Sequence, residues 1–125
     1  MKEEVVKLIQ KADHALEVAS ELINGGFPSD SASKIYYAMF YAAQALLKSE
    51  DIEVKKHSGV ESAIGYHFTK PGRIEPRFHR MFINARKLRE IADYDIQEEI
   101  SESTATIMLE EGKEFIKLMK VMLKI

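Results

Sequence analysis

The chain has 125 residues, a formal charge of -2, four histidines and no cysteine, which is the size of one domain and excludes disulfide staples, zinc-thiolate sites and thiol catalysis. So few histidines leave little for metal chemistry, and no metal or cofactor site is expected. No run reaches the roughly 18 to 20 uncharged apolar residues of a membrane span, and the acidic start Met1-Lys2-Glu3-Glu4 is unlike a signal peptide, so residues 1–125 are read as a single cytoplasmic domain.

Residues 3 to 23 carry Val5, Leu8, Ile9, Ala12, Leu16, Ala19, Leu22 and Ile23 at helical spacing, and Asn24-Gly25-Gly26 offers a left-handed stop. Phe27 to Ser31 reads as a short turn, and a second helix is expected from about Ala32 to Ser49. Its apolar residues cover both sides: Ile35, Met39, Ala43, Leu46 and Leu47 on one, Tyr37, Ala38, Tyr41, Ala42 and Ala45 on the other. A helix apolar nearly all round is buried on more than one side. It is therefore either the centre of a bundle or shared with a second subunit.

Ser58-Gly59-Val60-Glu61 reads as a capping box opening a short third helix, to about Phe68. Lys70-Pro71-Gly72 breaks it. Pro76 suits the first position of a fourth helix, whose core stripe is Phe78, Met81, Phe82, Ala85, Leu88 and Ala92, and Asp93-Tyr94-Asp95 interrupts that pattern. From about Ser101 a last helix carries Ala105, Met108, Leu109, Gly112, Phe115, Ile116, Met119, Met122 and Leu123 on a near-heptad seam. The fold class expected is all-α, an up-and-down bundle of about five helices, four long and one short.

Charge is distributed unevenly. Lys70 to Arg89 holds seven basic residues, all five arginines among them, against Glu75 alone, whereas Glu90 to Glu111 holds eight acids and no lysine or arginine. Either the two segments lie side by side and neutralise each other, or the arginine segment is an anion site. Arg89 follows Phe82 by seven residues and so points within the apolar stripe; His79, Arg86 and Asp93 adjoin it as one polar strip. Pairing of Arg89 with Asp93 and of Arg86 with Glu90 at the four-residue spacing would stabilise the helix end alone. Bidentate binding of a phosphate by the two guanidinium groups is the other reading. His57 stands before the capping serine with a packing or capping role open to it, and Tyr37 and Tyr41 suit a core or an interface, or a stacking platform.

No glycine-rich phosphate loop, metal-binding helix motif or nucleophile elbow is present. The string from Ala32 to Leu47 (ASKIYYAMFYAAQALL) resembles the second-helix signature of HEPN proteins. His57-Ser58-Gly59-Val60 resembles the next block of the same subfamily, and Arg86 to Tyr94, ending Ala92-Asp93-Tyr94, the one after it. The resemblance implies a dimeric helical bundle that binds nucleotide or RNA, often paired with a small nucleotidyltransferase in toxin-antitoxin systems. Active ribonucleases of the family carry, at the dimer cleft and without a metal, an arginine followed four to six residues later by a histidine. Here Tyr94 stands five residues after Arg89, and Glu90 replaces the usual asparagine. Arg73 and His79 match the bare spacing but straddle the start of the fourth helix.

The ligand-binding residues expected are therefore Arg86, Arg89, Asp93, Tyr94, His57 and Tyr37, in a homodimeric, mainly non-catalytic protein that engages nucleotide, RNA or a nucleotidyltransferase partner. The alternative is a metal-independent endoribonuclease using Arg89 and Tyr94, or Arg73 and His79. A purely structural interaction module is a third reading.

Overall fold

The helix with the least polar surface is the one around which the others are built. A computed structural model describes residues 1–125 as α1 (Glu3–Asn24), α2 (Pro28–Ser49), α3 (Gly59–Ile64), α4 (Pro76–Tyr94) and α5 (Glu102–Leu123), with no strand. The expected all-α bundle is the observed architecture. α2 packs against all four other helices, most extensively against α1. Ala38, Ala42 and Ala45 on one side of it and Ile35, Ala43 and Leu46 on the other are all fully buried. Its two-sided apolar character is thus absorbed within one chain, and only the strip bearing Lys34, Tyr37, Tyr41 and Lys48 reaches the surface.

α2 begins four residues earlier than its periodicity indicates. Pro28 occupies the first turn, where its missing N–H costs nothing. The polar residues that look like caps are used across the bundle instead: the buried Ser31 hydroxyl donates to the Ala19 carbonyl at 2.8 Å, and Ser29 Oγ accepts the Ile100 amide at 3.1 Å. The left-handed residue of the α1–α2 turn is Gly26, φ +88°, while Gly25 stays right-handed.

Ser58 makes no side-chain cap, so the expected capping box is absent. Glu61 turns to Arg86 instead, at 2.9 Å, trading a local hydrogen bond for a charged one between helices. α3 ends at Ile64, and one wide turn over Gly65–Thr69 carries the chain to Phe68, which is fully buried. α4 starts at Pro76 and stops at Tyr94 as expected, and Ser101 caps α5 by accepting the Thr104 amide at 3.1 Å. α5 approaches α2 closely at Gly112, where a Cβ would stand 2.9 Å from Ile35 Cγ2. No helix is long and apolar enough to cross a membrane.

Candidate functional site

The arginines of α4 and of the segment leading into it are spent unequally. Arg73 is held by both oxygens of Glu50, and Arg77 donates to Glu114 at 2.9 Å. Arg86 donates through Nε to Glu61 at 2.9 Å and through a terminal nitrogen to Glu90 at 2.6 Å. The Arg86–Glu90 pair is present as its spacing implies, but Glu50, Glu61 and Glu114 lie outside the 90–111 acidic segment, so that segment does not neutralise the arginines as a block. Its hydrogen bonds to Glu90 and Glu61 hold the Arg86 guanidinium above its ordinary pKa, and its fork has little left for an external anion.

Arg89 differs. Its side chain is only 14% exposed, and its nearest anion is Asp93 at 3.5 Å. A terminal nitrogen also donates to the Tyr94 hydroxyl at 3.4 Å. Both contacts are long for hydrogen bonds, and Nε is buried with no partner at all. The guanidinium carbon sits 5.1 Å from the Tyr36 ring centre and 5.7 Å from those of Tyr37 and Tyr94, within the range of cation–π attraction. Burial works against its charge, but Tyr37, Tyr94 and Asp93 outweigh burial and keep it above its ordinary pKa. The result is a permanently charged fork in an aromatic frame with unspent donors.

The sequence strip His79, Arg86, Arg89, Asp93 divides in space. His79 and Arg86 face α3, the His79 ring lying 2.9 Å from the Glu61 carbonyl and against Gly65, where a Cβ would meet it at 2.9 Å. Arg89 and Asp93 face α2, and Ser33 donates to the Asp93 carboxylate at 3.4 Å. Arg73 and His79 are therefore engaged by different elements, Glu50 and α3.

His57 joins Arg89 from the α2–α3 connection. Its ring stacks 3.8 Å from Phe40, centre to centre, and lies 6.0 Å from Tyr37. Burial against these rings, and then the nearby Arg89 charge, push its pKa below the ordinary histidine value, so it is neutral at neutral pH. Gly59 permits this placement, since a Cβ there would stand 2.6 Å from Val54 Cγ1. Five of the six residues singled out from the sequence, Tyr37, His57, Arg89, Asp93 and Tyr94, thus gather at the surface strip of α2; Arg86 is turned away. Tyr36 and Ser33 complete the cluster. The only signal for them is their place beside Tyr37, one turn apart on the same helix.

A family model described as the HEPN domain matches residues 5–122. The chain belongs to the HEPN family. Similar proteins extend over most of it. One from Methanocaldococcus jannaschii that carries the name "Putative toxin" is 37% identical over 95% of this chain and 81% of its own. A second of that name from the same organism is 32% identical over 99% and 92%, and a UPF0332 protein of Gloeobacter violaceus is 32% identical over 89% of each. The α2 string and the His57 and Arg89 blocks that first point to HEPN therefore lie within a match covering the whole bundle.

Proposed function

We propose that this HEPN protein is the toxin-type member of a toxin-antitoxin pair, a homodimer that binds the phosphate of a nucleotide or RNA through Arg89 and is partnered by a small nucleotidyltransferase. The observation that carries the phosphate site is the state of the Arg89 guanidinium: charged, framed by Tyr36, Tyr37 and Tyr94, with its terminal nitrogens held only at 3.4 and 3.5 Å. A phosphate oxygen brings shorter, charge-assisted bonds than those it displaces. The tyrosine rings beside it offer a base a stacking face. The toxin assignment draws on the names of the two Methanocaldococcus relatives. Titration of a short single-stranded RNA and of ATP against wild type and Arg89→Ala tests the site, and co-purification with a nucleotidyltransferase encoded beside it tests the partnership.

A second reading is a metal-independent endoribonuclease. It is favoured by one observation, the neutral His57 ring beside Tyr37 and within the field of Arg89. A neutral imidazole can take a proton from a ribose hydroxyl while a guanidinium holds the phosphate. A phenol such as that of Tyr94 is a poor general base at neutral pH. Cleavage in EDTA that disappears in both Arg89→Ala and His57→Ala would establish this reading.

A further inference from the structure

Two features of the surface lie outside the Arg89 cluster and match each other in chemistry. The first is a groove of about 740 Å³ between α1 and α2, with Leu8, Ala15 and Val18 on its floor. Four lysines, Lys7, Lys11, Lys34 and Lys48, border it against one acid, Glu4. Lys7 and Lys48 are paired with Glu3 and Glu4. Lys34 has no carboxylate partner, and Lys11 rests 5.0 Å above the Tyr41 ring. The second is the α4–α5 connection, Asp95-Ile96-Gln97-Glu98-Glu99. Ile96 is 99% exposed. Asp95 folds this segment into a turn by accepting the Gln97 and Glu98 amides, both at 2.8 Å, while Glu98 and Glu99 enter no ion pair.

A lone exposed isoleucine is unremarkable on a surface. One held out on an ordered turn, flanked by unpaired carboxylates, has the form of an anchor for a pocket that is apolar below and basic at its rim. None of the residues of this segment lines the groove of its own chain; Ser33 and Ser29 bond Asp93 and the Ile100 amide on either side of the segment. A twofold pair in which each connection enters the groove of the other copy has the isologous arrangement expected of a closed dimer. We infer that the α1–α2 groove receives the Asp95–Glu99 connection of a second copy of this chain, with Ile96 on Ala15 and Val18 and Glu98 and Glu99 on Lys11 and Lys34. This rests on the homodimer of the reading above and supplies its surfaces.

Charge exchange tests it by sedimentation at micromolar concentration, with circular dichroism confirming that each variant stays folded. Wild type is expected to be a dimer. Lys11→Glu with Lys34→Glu, and separately Glu98→Lys with Glu99→Lys, should each weaken the dimer roughly a hundredfold, as loss of close charge pairs does at other interfaces. Mixing the two variants, or combining all four changes in one chain, should restore it, and Ile96→Ala should weaken it with charge unchanged. A monomeric wild type, a dimer insensitive to both reversals, or a four-substitution protein that stays monomeric would overturn the inference. So would a groove reversal that lowers RNA affinity while leaving the dimer intact, which would give the groove to nucleic acid. Binding of RNA by Arg89 is measured separately, so a monomer that binds RNA defeats the dimer surface alone, and a charge-restored dimer that binds none defeats the phosphate site alone.

Discussion

Arg89 and His57, far apart in the chain, border one ring: the Arg89 guanidinium lies 5.7 Å and the His57 imidazole 6.0 Å from the centre of Tyr37. The proximity has an electrostatic consequence, since Arg89 adds to burial in holding the imidazole neutral. With the folded pKa depressed, the unfolded chain takes up its proton first as pH falls, so the folded state loses stability as pH drops from about 7 through the ordinary histidine value, and the loss is complete below the folded pKa. Urea midpoints at pH 7.5 and 5.5 should therefore fall further for wild type than for His57→Phe. Equal falls would mean that His57 is not held as described.

Arg86→Ala should cost about 1 kcal/mol, between the values of exposed and buried ion pairs, because its half-buried guanidinium joins α4 to α3 through Glu61. RNA affinity should remain within about twofold, since its fork is already spent on Glu61 and Glu90. Thermal melts and one titration check both. An affinity loss as large as that of Arg89→Ala would return Arg86 to the site.

Gly59→Ala should destabilise by about 1 to 2 kcal/mol, the ordinary cost of overpacking, because the new Cβ would stand 2.6 Å from Val54 Cγ1. Val54→Ala in the same chain should return part of that loss, so the pair should be less than additive. Strict additivity would place the strain elsewhere.

Much of this fold was legible from periodicity, because α1, α4 and α5 each bury one regular stripe, and Pro76 and Ser101 mark their starts by local rules. The N-terminus of α2 departs from its periodicity because Ser29 and Ser31, natural caps, bond to the distant Ile100 amide and Ala19 carbonyl. The Ser58 capping box failed for the same reason, Glu61 having a cation on another helix. Helical spacing placed Arg89 inward, and the pairs Arg86–Glu90 and Arg89–Asp93 are both present. What spacing could not convey is that Arg86 has a second partner in Glu61 whereas Arg89 has none of comparable quality. Nor could it bring His57 against Phe40 and Tyr37, which depends on the α2–α3 connection crossing back over α2.

Purified protein should leave single-stranded RNA intact in EDTA, since the histidine expected five residues after Arg89 is Tyr94 and a phenol supplies little base at pH 7. Cleavage lost in Arg89→Ala and in His57→Ala would transfer the missing role to His57. Cleavage lost in His79→Ala instead would require His79 to leave the Glu61 carbonyl that now holds it.

The measurement that bears most directly on the Arg89 site is RNA affinity at 50 and 200 mM salt for wild type, Arg89→Lys and Arg89→Ala. Wild-type binding should weaken about threefold for each phosphate contacted over that range. Arg89→Ala should lose about tenfold or more at either salt, the worth of a charge-assisted bond. Arg89→Lys, which keeps the charge and loses the fork, should fall between them. Folding should survive, with a loss of about 1 kcal/mol from the tyrosine contacts and the buried stem. No binding by the wild type, or binding that Arg89→Ala leaves unchanged, would contradict the assignment of Arg89 as the phosphate-binding group.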